Sequence, residues 1–181
     1  MQFPAPSKTP VLQTEQIILF RVSGQLFAVS SGSVQEVRSV DSLAGSATEI
    51  KAPGLKKVRH IVRRGDKSLF VVNGALHFGL PLTSGLLVFV LRRTRTALLI
   101  DGIEKMATMT RLQALPQAFC NEERNWYRGV TALDQNVVPV VKPEGFLTNE
   151  EIAILEHSAT PSTASTISAD HSTGLNHDAA E

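Results

Sequence analysis

The chain has 181 residues, 43% of them apolar and 19% charged, with a formal net charge of +1 and a single cysteine. A disordered chain, a disulfide scaffold or a collagen-like repeat would need high net charge, many cysteines or far more than 12 Gly and 9 Pro. What remains is one ordinary soluble domain with appendages.

The charge is uneven along the chain. Residues 1–110 hold 14 Lys+Arg against 7 Asp+Glu, and residues 111–181 hold 4 against 10, so the two parts carry +7 and −6. The excess is sharpest between Lys51 and Lys67, where seven cations face only Asp66. Such a stretch suits nucleic acid, an anionic ligand or an acidic protein, or simply a solvated strand edge.

In chain order, residues 1–15 read as a flexible arm, since Met1 to Thr14 has three prolines and no periodicity. No apolar h-region follows Lys8, and the apolar run Leu86 to Leu91 is far shorter than the roughly 20 residues of a membrane helix. With Cys120 alone, the expectation is a cytoplasmic protein with no direct membrane insertion. The folded part is predicted at 16–157, and 158–181, rich in Ser, Thr, Ala, His and Asp, as a disordered polar tail.

Within 16–157 the strand-sized runs are Ile17 to Val22, Leu26 to Val29, Ile61 to Arg63, Ser68 to Val72, Leu86 to Leu91, Ala97 to Ile103, Val130 to Leu133 and Val137 to Val141. Turn residues divide them: Ser23-Gly24, Arg64-Gly65-Asp66 and Asp134-Gln135-Asn136. Long helical crossovers are missing, so the fold class is mainly β, as small barrels or a sandwich. Val34 and Val37, three apart, predict a short helix or turn over 33–37. Thr148-Asn149-Glu150-Glu151 has the Thr-x-x-Glu spacing of a capping box, and Ile152, Ile154 and Leu155 predict the apolar face of a closing helix.

Groups for chemistry do not converge. His60 and His77 lack zinc-site spacing, Cys120 has no partner cysteine, and no phosphate-binding glycine loop follows a strand. Asp101 reads as a strand terminator rather than a general acid. The Lys51 to Lys67 stretch has no interleaved aromatic side chains to stack bases, which argues against nucleic acid. The residues therefore predict a protein that is not an enzyme, takes no cofactor or metal, and has a surface for binding other proteins.

Several segments carry a resemblance. Ile18-Leu19-Phe20-Arg21-Val22, Leu26-Phe27-Ala28-Val29 and Val34-Gln35-Glu36-Val37-Arg38 are followed by Ile61 to Asn73 (IVRRGDKSLFVVN), Leu98 to Ile103, and Tyr127 to Leu147 with the Thr148 helix. In that order they resemble the CheW-like adaptor domains of bacterial chemosensory arrays. Three departures are visible: Phe70 stands where a proline is common, Asn73 where an aspartate is usual, and the hairpin Arg92 to Thr96 is short.

The resemblance implies two small SH3-like five-stranded barrels sharing a core, with a C-terminal helix. It implies a chemotaxis adaptor whose partners are the regulatory domain of a CheA-type histidine kinase and the cytoplasmic hairpin tip of a chemoreceptor. Recruitment to membrane receptor arrays follows. The receptor-binding residues carried over are Val34, Glu36, Val37, Arg64 and Val88, with core packing the alternative for the three valines. A CheW-like module of another pathway, such as twitching motility or biofilm control, or a degenerate copy, is the second expectation; a nucleic-acid-binding β protein is the third.

Overall fold

A computed structural model describes residues 14–43, 46–119 and 122–159. Cys120 and most of both predicted appendages lie outside the described residues. The strands are β1 (Glu15–Val22), β2 (Gln25–Ser30), β3 (Val34–Ser39), β4 (Ala47–Glu49), β5 (Val58–Arg64), β6 (Lys67–Asn73), β7 (Leu87–Leu91), β8 (Thr96–Ile100), β9 (Gly102–Met109), β10 (Tyr127–Leu133) and β11 (Asn136–Val141). The helices are α1 (Gly74–His77) and α2 (Asn149–Ala159).

Two sheets result, a five-stranded one in the order β10-β11-β2-β1-β9 and a six-stranded one in the order β3-β7-β8-β6-β5-β4. The predicted class is therefore right, with β4 as a sixth strand where five were expected. Tight turns set the hairpins. Ser23 and Gly24 (φ +50° and +76°) join β1 to β2, and Asp134 and Gln135 (φ +49° and +67°) join β10 to β11, the positive-φ pairs that match strand twist.

Each sheet is apolar on both faces, which explains the uninterrupted runs in the sequence. On β1, Ile17 and Leu19 enter a small core with Ala28, Met109, Val138 and Val140, while Ile18, Phe20 and Val22 enter the central core between the sheets. The six-stranded sheet repeats this. Leu69, Val71, Val88 and Val90 pack in a second small core, and Phe70, Val72, Phe89 and Leu91 face the central one. Phe20 of β1 meets Phe89 of β7 edge-on at 5.3 Å, joining the two sheets, and Phe27 of β2 stacks at 4.5 Å on Phe78, which follows α1.

Three local expectations need correction. Residues 34–39 form a strand, β3, after a 3-10 turn at Ser31–Ser33. A register shift between Val34 and Glu36 changes the side-chain parity, so Val34 opposite Leu91 and Val37 opposite Phe89 share a face although they are three apart. Ala97 to Ile103 is two strands, and Asp101 divides them as expected: its amide donates to the Arg21 carbonyl, and its carboxylate accepts from Thr83 Oγ1 at 2.5 Å. On α2, Leu155 is fully buried but Ile154 is exposed.

The Thr148 capping box is formed. The Glu151 amide donates to Thr148 Oγ1 at 3.1 Å, and the Thr148 amide donates to Glu151 Oε2 at 2.8 Å. Lys57 pairs with Glu151 at 2.7 Å, and Arg95 contacts Glu156, so the helix is tied to the six-stranded sheet by charge as well as by Leu155.

Candidate functional site

Arg64 sits at the end of β5, where Gly65 (φ +62°) lets the chain reverse into β6. It shares a sheet face with Val62, because both oppose residues on β6 two positions apart, and that face is the side of the second small core. On β3, Glu36 lies opposite Val90 and Arg38 opposite Val88, on the same side. The curl of the sheet brings the two ends together. Arg64 Nη1 lies 2.7 Å from Glu36 Oε1, and Arg38 Nε lies 3.2 Å from the same oxygen. One carboxylate thus holds two guanidinium groups at the mouth of the small core, each side chain about a third exposed.

The five expected residues divide into two kinds. Glu36 and Arg64 are joined directly, and Val37, next to Glu36 on β3 and 41% exposed, belongs to the opposite face, that of Phe89. Val34 and Val88 are buried, Val34 in the central core and Val88 in the second small core beneath Arg38. Arg38 was missed. Its signal was present as an acid and a base two apart on one strand, but with a short helix or turn expected over 33–37 the two are not read as sharing a face.

Exposed apolar side chains lie on the edge strands of the two sheets. The Phe20–Phe89 contact places β1 against β7, and α1, which carries the chain on from β6, brings Phe78 onto Phe27 of β2. The edges left beyond them are β9 in one sheet and β3 in the other. There Ile103 opposes Phe20 and Met106 opposes Ile18, so both continue the central-core face outward; they are exposed, as are Val37, Val40 and Leu86. Ile103 and Met106 escaped notice because a second register shift, between Leu19 and Phe20, breaks the alternation of β9.

Across the Arg64 turn lies an open groove of about 730 Å³ between the β5–β6 turn, the β7–β8 turn and α2. Its lining includes Gln35, Arg64, Lys67, Arg93, Arg95 and Glu156. The departures noted in the sequence fit here. Phe70, in place of a proline, is fully buried, donates its amide to the Arg95 carbonyl at 2.8 Å, and has the Arg95 guanidinium 5.3 Å from its ring centre. Asn73 caps α1, its Oδ1 accepting from the Leu76 amide at 3.1 Å.

Of the two histidines weighed as ligands, His60 lies on β5 and His77 ends α1, buried among Trp126, Phe78 and Phe146. Burial, with a smaller effect of Lys57, pushes the His77 imidazole down to about 3. Among the described residues no group of three or more His, Cys, Asp or Glu is placed to hold a metal ion, and no helix is long and apolar enough to cross a membrane.

Comparison with known proteins places the chain in a family. The CheW-like domain model matches residues 16–151, and the chain belongs to that family, one of non-catalytic scaffolds and adaptors. Among solved structures the chain is similar to the scaffolding protein TtCheW from Thermoanaerobacter tengcongensis, with a TM-score of 0.61 at 14% identity. That match covers 76% of this chain and 95% of the other, and at this identity it is a likeness of fold. No curated protein matches the sequence significantly.

Proposed function

We propose that the protein is a chemosensory adaptor that joins the hairpin tip of a chemoreceptor to the regulatory domain of a CheA-type histidine kinase. It works in the cytoplasm, beside membrane receptor arrays, and supplies no chemistry of its own. The observation that carries this reading is the Arg38–Glu36–Arg64 ion-pair cluster at edge strand β3, supported by the exposed apolar side chains of the edge strands, Val37 on β3 and Ile103 and Met106 on β9. A receptor helix laid along an edge strand covers exposed apolar side chains, while the guanidinium groups meet an acid or a carbonyl on the helix. Val34 and Val88 then act from beneath, by holding β3 and β7 in place.

Calorimetric titration of the full chain against the kinase regulatory domain from the same organism, with and without a receptor-tip fragment, tests the reading. Arg64→Glu sets a like charge against the partner's acid, which predicts receptor binding weakened about tenfold or more, kinase binding unchanged, and a cooperative melt retained. Unchanged receptor affinity in a folded variant removes the assigned face. A folded wild-type protein that binds neither partner removes the adaptor role.

A further inference from the structure

The groove between the β5–β6 turn, the β7–β8 turn and α2 gathers like charge from two neighbouring turns. Arg64 and Lys67 stand directly opposite one another where β5 meets β6, an arrangement that repels. β6 and β8 run parallel, with Phe70 beside Thr96 and Asn73 beside Leu99, and the same offset carried back three residues sets Lys67 level with Arg93. Arg64 is held by Glu36, and Arg95, also in the lining, is held by Glu156. Lys67 and Arg93 make no ion pair among the described residues. Arg93 is moreover in the left-handed region at φ +58°, a position that glycine or asparagine fills at less cost. The fold thus accepts repulsion at one turn and backbone cost at the next, and both leave an unpaired cation on the same concave surface.

Such a surface suits spaced carboxylates better than a run of phosphates. Asp66 and Glu156 also line the groove, so a polyanion charged at every step meets a repulsion beside each attraction. Among the described residues that line it none is aromatic, which leaves nothing to stack a nucleic-acid base. The site is concave, whereas a bilayer is flat. Gln35, Ser68 and Thr94 add side-chain donors and acceptors of the kind that hold a peptide backbone.

We propose that this groove binds an acidic peptide segment of a partner protein, whose carboxylates pair with Lys67 and Arg93. The site asks nothing of a receptor or a kinase, and so stands apart from the adaptor reading. Arg64 forms its border with the Glu36 cluster, so a bound segment adjoins the face assigned above to the receptor.

The test is fluorescence anisotropy of a fluorescein-labelled peptide of alternating Glu and Gly, titrated with the full chain at about 0.05 M ionic strength, with amide NMR to locate the contact. Binding shifts the amides of Lys67, Ser68, Arg93 and Thr94, and is lost at about 1 M salt, where the screening length falls to about 3 Å. Lys67→Glu combined with Arg93→Glu weakens it about tenfold or more, since each attraction becomes a repulsion. Arg93→Gly weakens it about threefold in a protein whose β7–β8 turn is relieved of its backbone cost, so the loss is not one of folding. Lys51→Glu combined with Lys56→Glu makes the same charge change at two other exposed positions of the basic stretch and leaves the affinity unchanged. No binding at low salt, shifts confined to other residues, or equal weakening by the two double variants overturns the proposal. Tighter binding of a short DNA duplex or of phosphatidylglycerol vesicles, at equal charge concentration, assigns the groove to nucleic acid or to a membrane and overturns it equally. Neither receptor nor kinase is present, so failure here leaves the Arg64 titrations to be judged separately.

Discussion

His77 makes the fold acid-labile in a pH range where the carboxylates contribute little. Its side chain is 4% exposed, its Nε2 has no hydrogen-bond partner, and Trp126, Phe78 and Phe146 surround it with ring centres 4.4 to 5.0 Å away. The imidazole is neutral in the folded protein down to about pH 3 but takes a proton near 6.5 when unfolded. Between these values the unfolded state binds more protons, so stability is complete above 6.5 and falls as the pH drops toward 3. From 6.5 to pH 5 the interval is 1.5 units, which at 1.36 kcal/mol per unit costs about 2 kcal/mol.

That interval isolates His77, because Asp and Glu titrate near 4 in the unfolded chain. Glu15, held low by its two hydrogen bonds from Arg128, adds its own loss only as the pH falls below that range. Urea unfolding at pH 7 and pH 5 measures the effect. Wild type loses about 2 kcal/mol between the two, and His77→Leu, close in volume and unable to titrate, loses a small fraction of that. The variant is also expected to be as stable as wild type at pH 7 or more so, since an unpaired buried nitrogen costs about 1–3 kcal/mol. An equal loss in both proteins refutes the assignment.

Two further substitutions test the packing. A Cβ at Gly145 meets the Asn125 carbonyl oxygen and carbon and the Trp126 Cα, all backbone atoms. Gly145→Ala therefore lowers the unfolding free energy by about 1–3 kcal/mol through displacement of the loop before β10, and an unchanged urea midpoint contradicts the close approach. Thr148→Ala removes the hydroxyl that caps α2 and costs about 1 kcal/mol in the same assay; no change means the cap is redundant with the Lys57–Glu151 pair.

Strands buried on both faces announced themselves as continuous apolar runs, so β1, β2, β6, β7 and β8 were legible from residue type and length. The same two-sidedness hid which core each residue enters: Val88 and Phe89 look alike in the sequence yet face different cores. Register shifts did the most damage. In β3 the shift turned a period of two into a spacing of three, which imitates a helix. The four-residue α1 had no periodicity to read; it depends on Gly74 lying so close to β8 that a Cβ would meet the Leu99 carbonyl oxygen at 2.7 Å. Arg64 was legible from its glycine turn, while its pairing with Glu36 depends on how the sheet curls and leaves no local trace.

The pairing bears on what Arg64 can contribute to a partner. A free arginine gains a charge-assisted contact when an acid arrives, but Arg64 and Arg38 already share the Glu36 carboxylate. An incoming acid must replace or join that carboxylate, so one ion pair is exchanged for another and the net gain is small. On the proposed reading, affinity then comes chiefly from apolar area, and exposed side chains on the edge strands that can supply it include Val37, Ile103 and Met106. What the ion-paired mouth adds is direction. With Glu36 fixing both guanidinium groups before contact, a helix out of register leaves its own acid unpaired and is rejected, while the correct one loses nothing. On the proposed reading, an adaptor built this way binds each partner modestly and selectively, and holds firmly only where many copies are engaged at once.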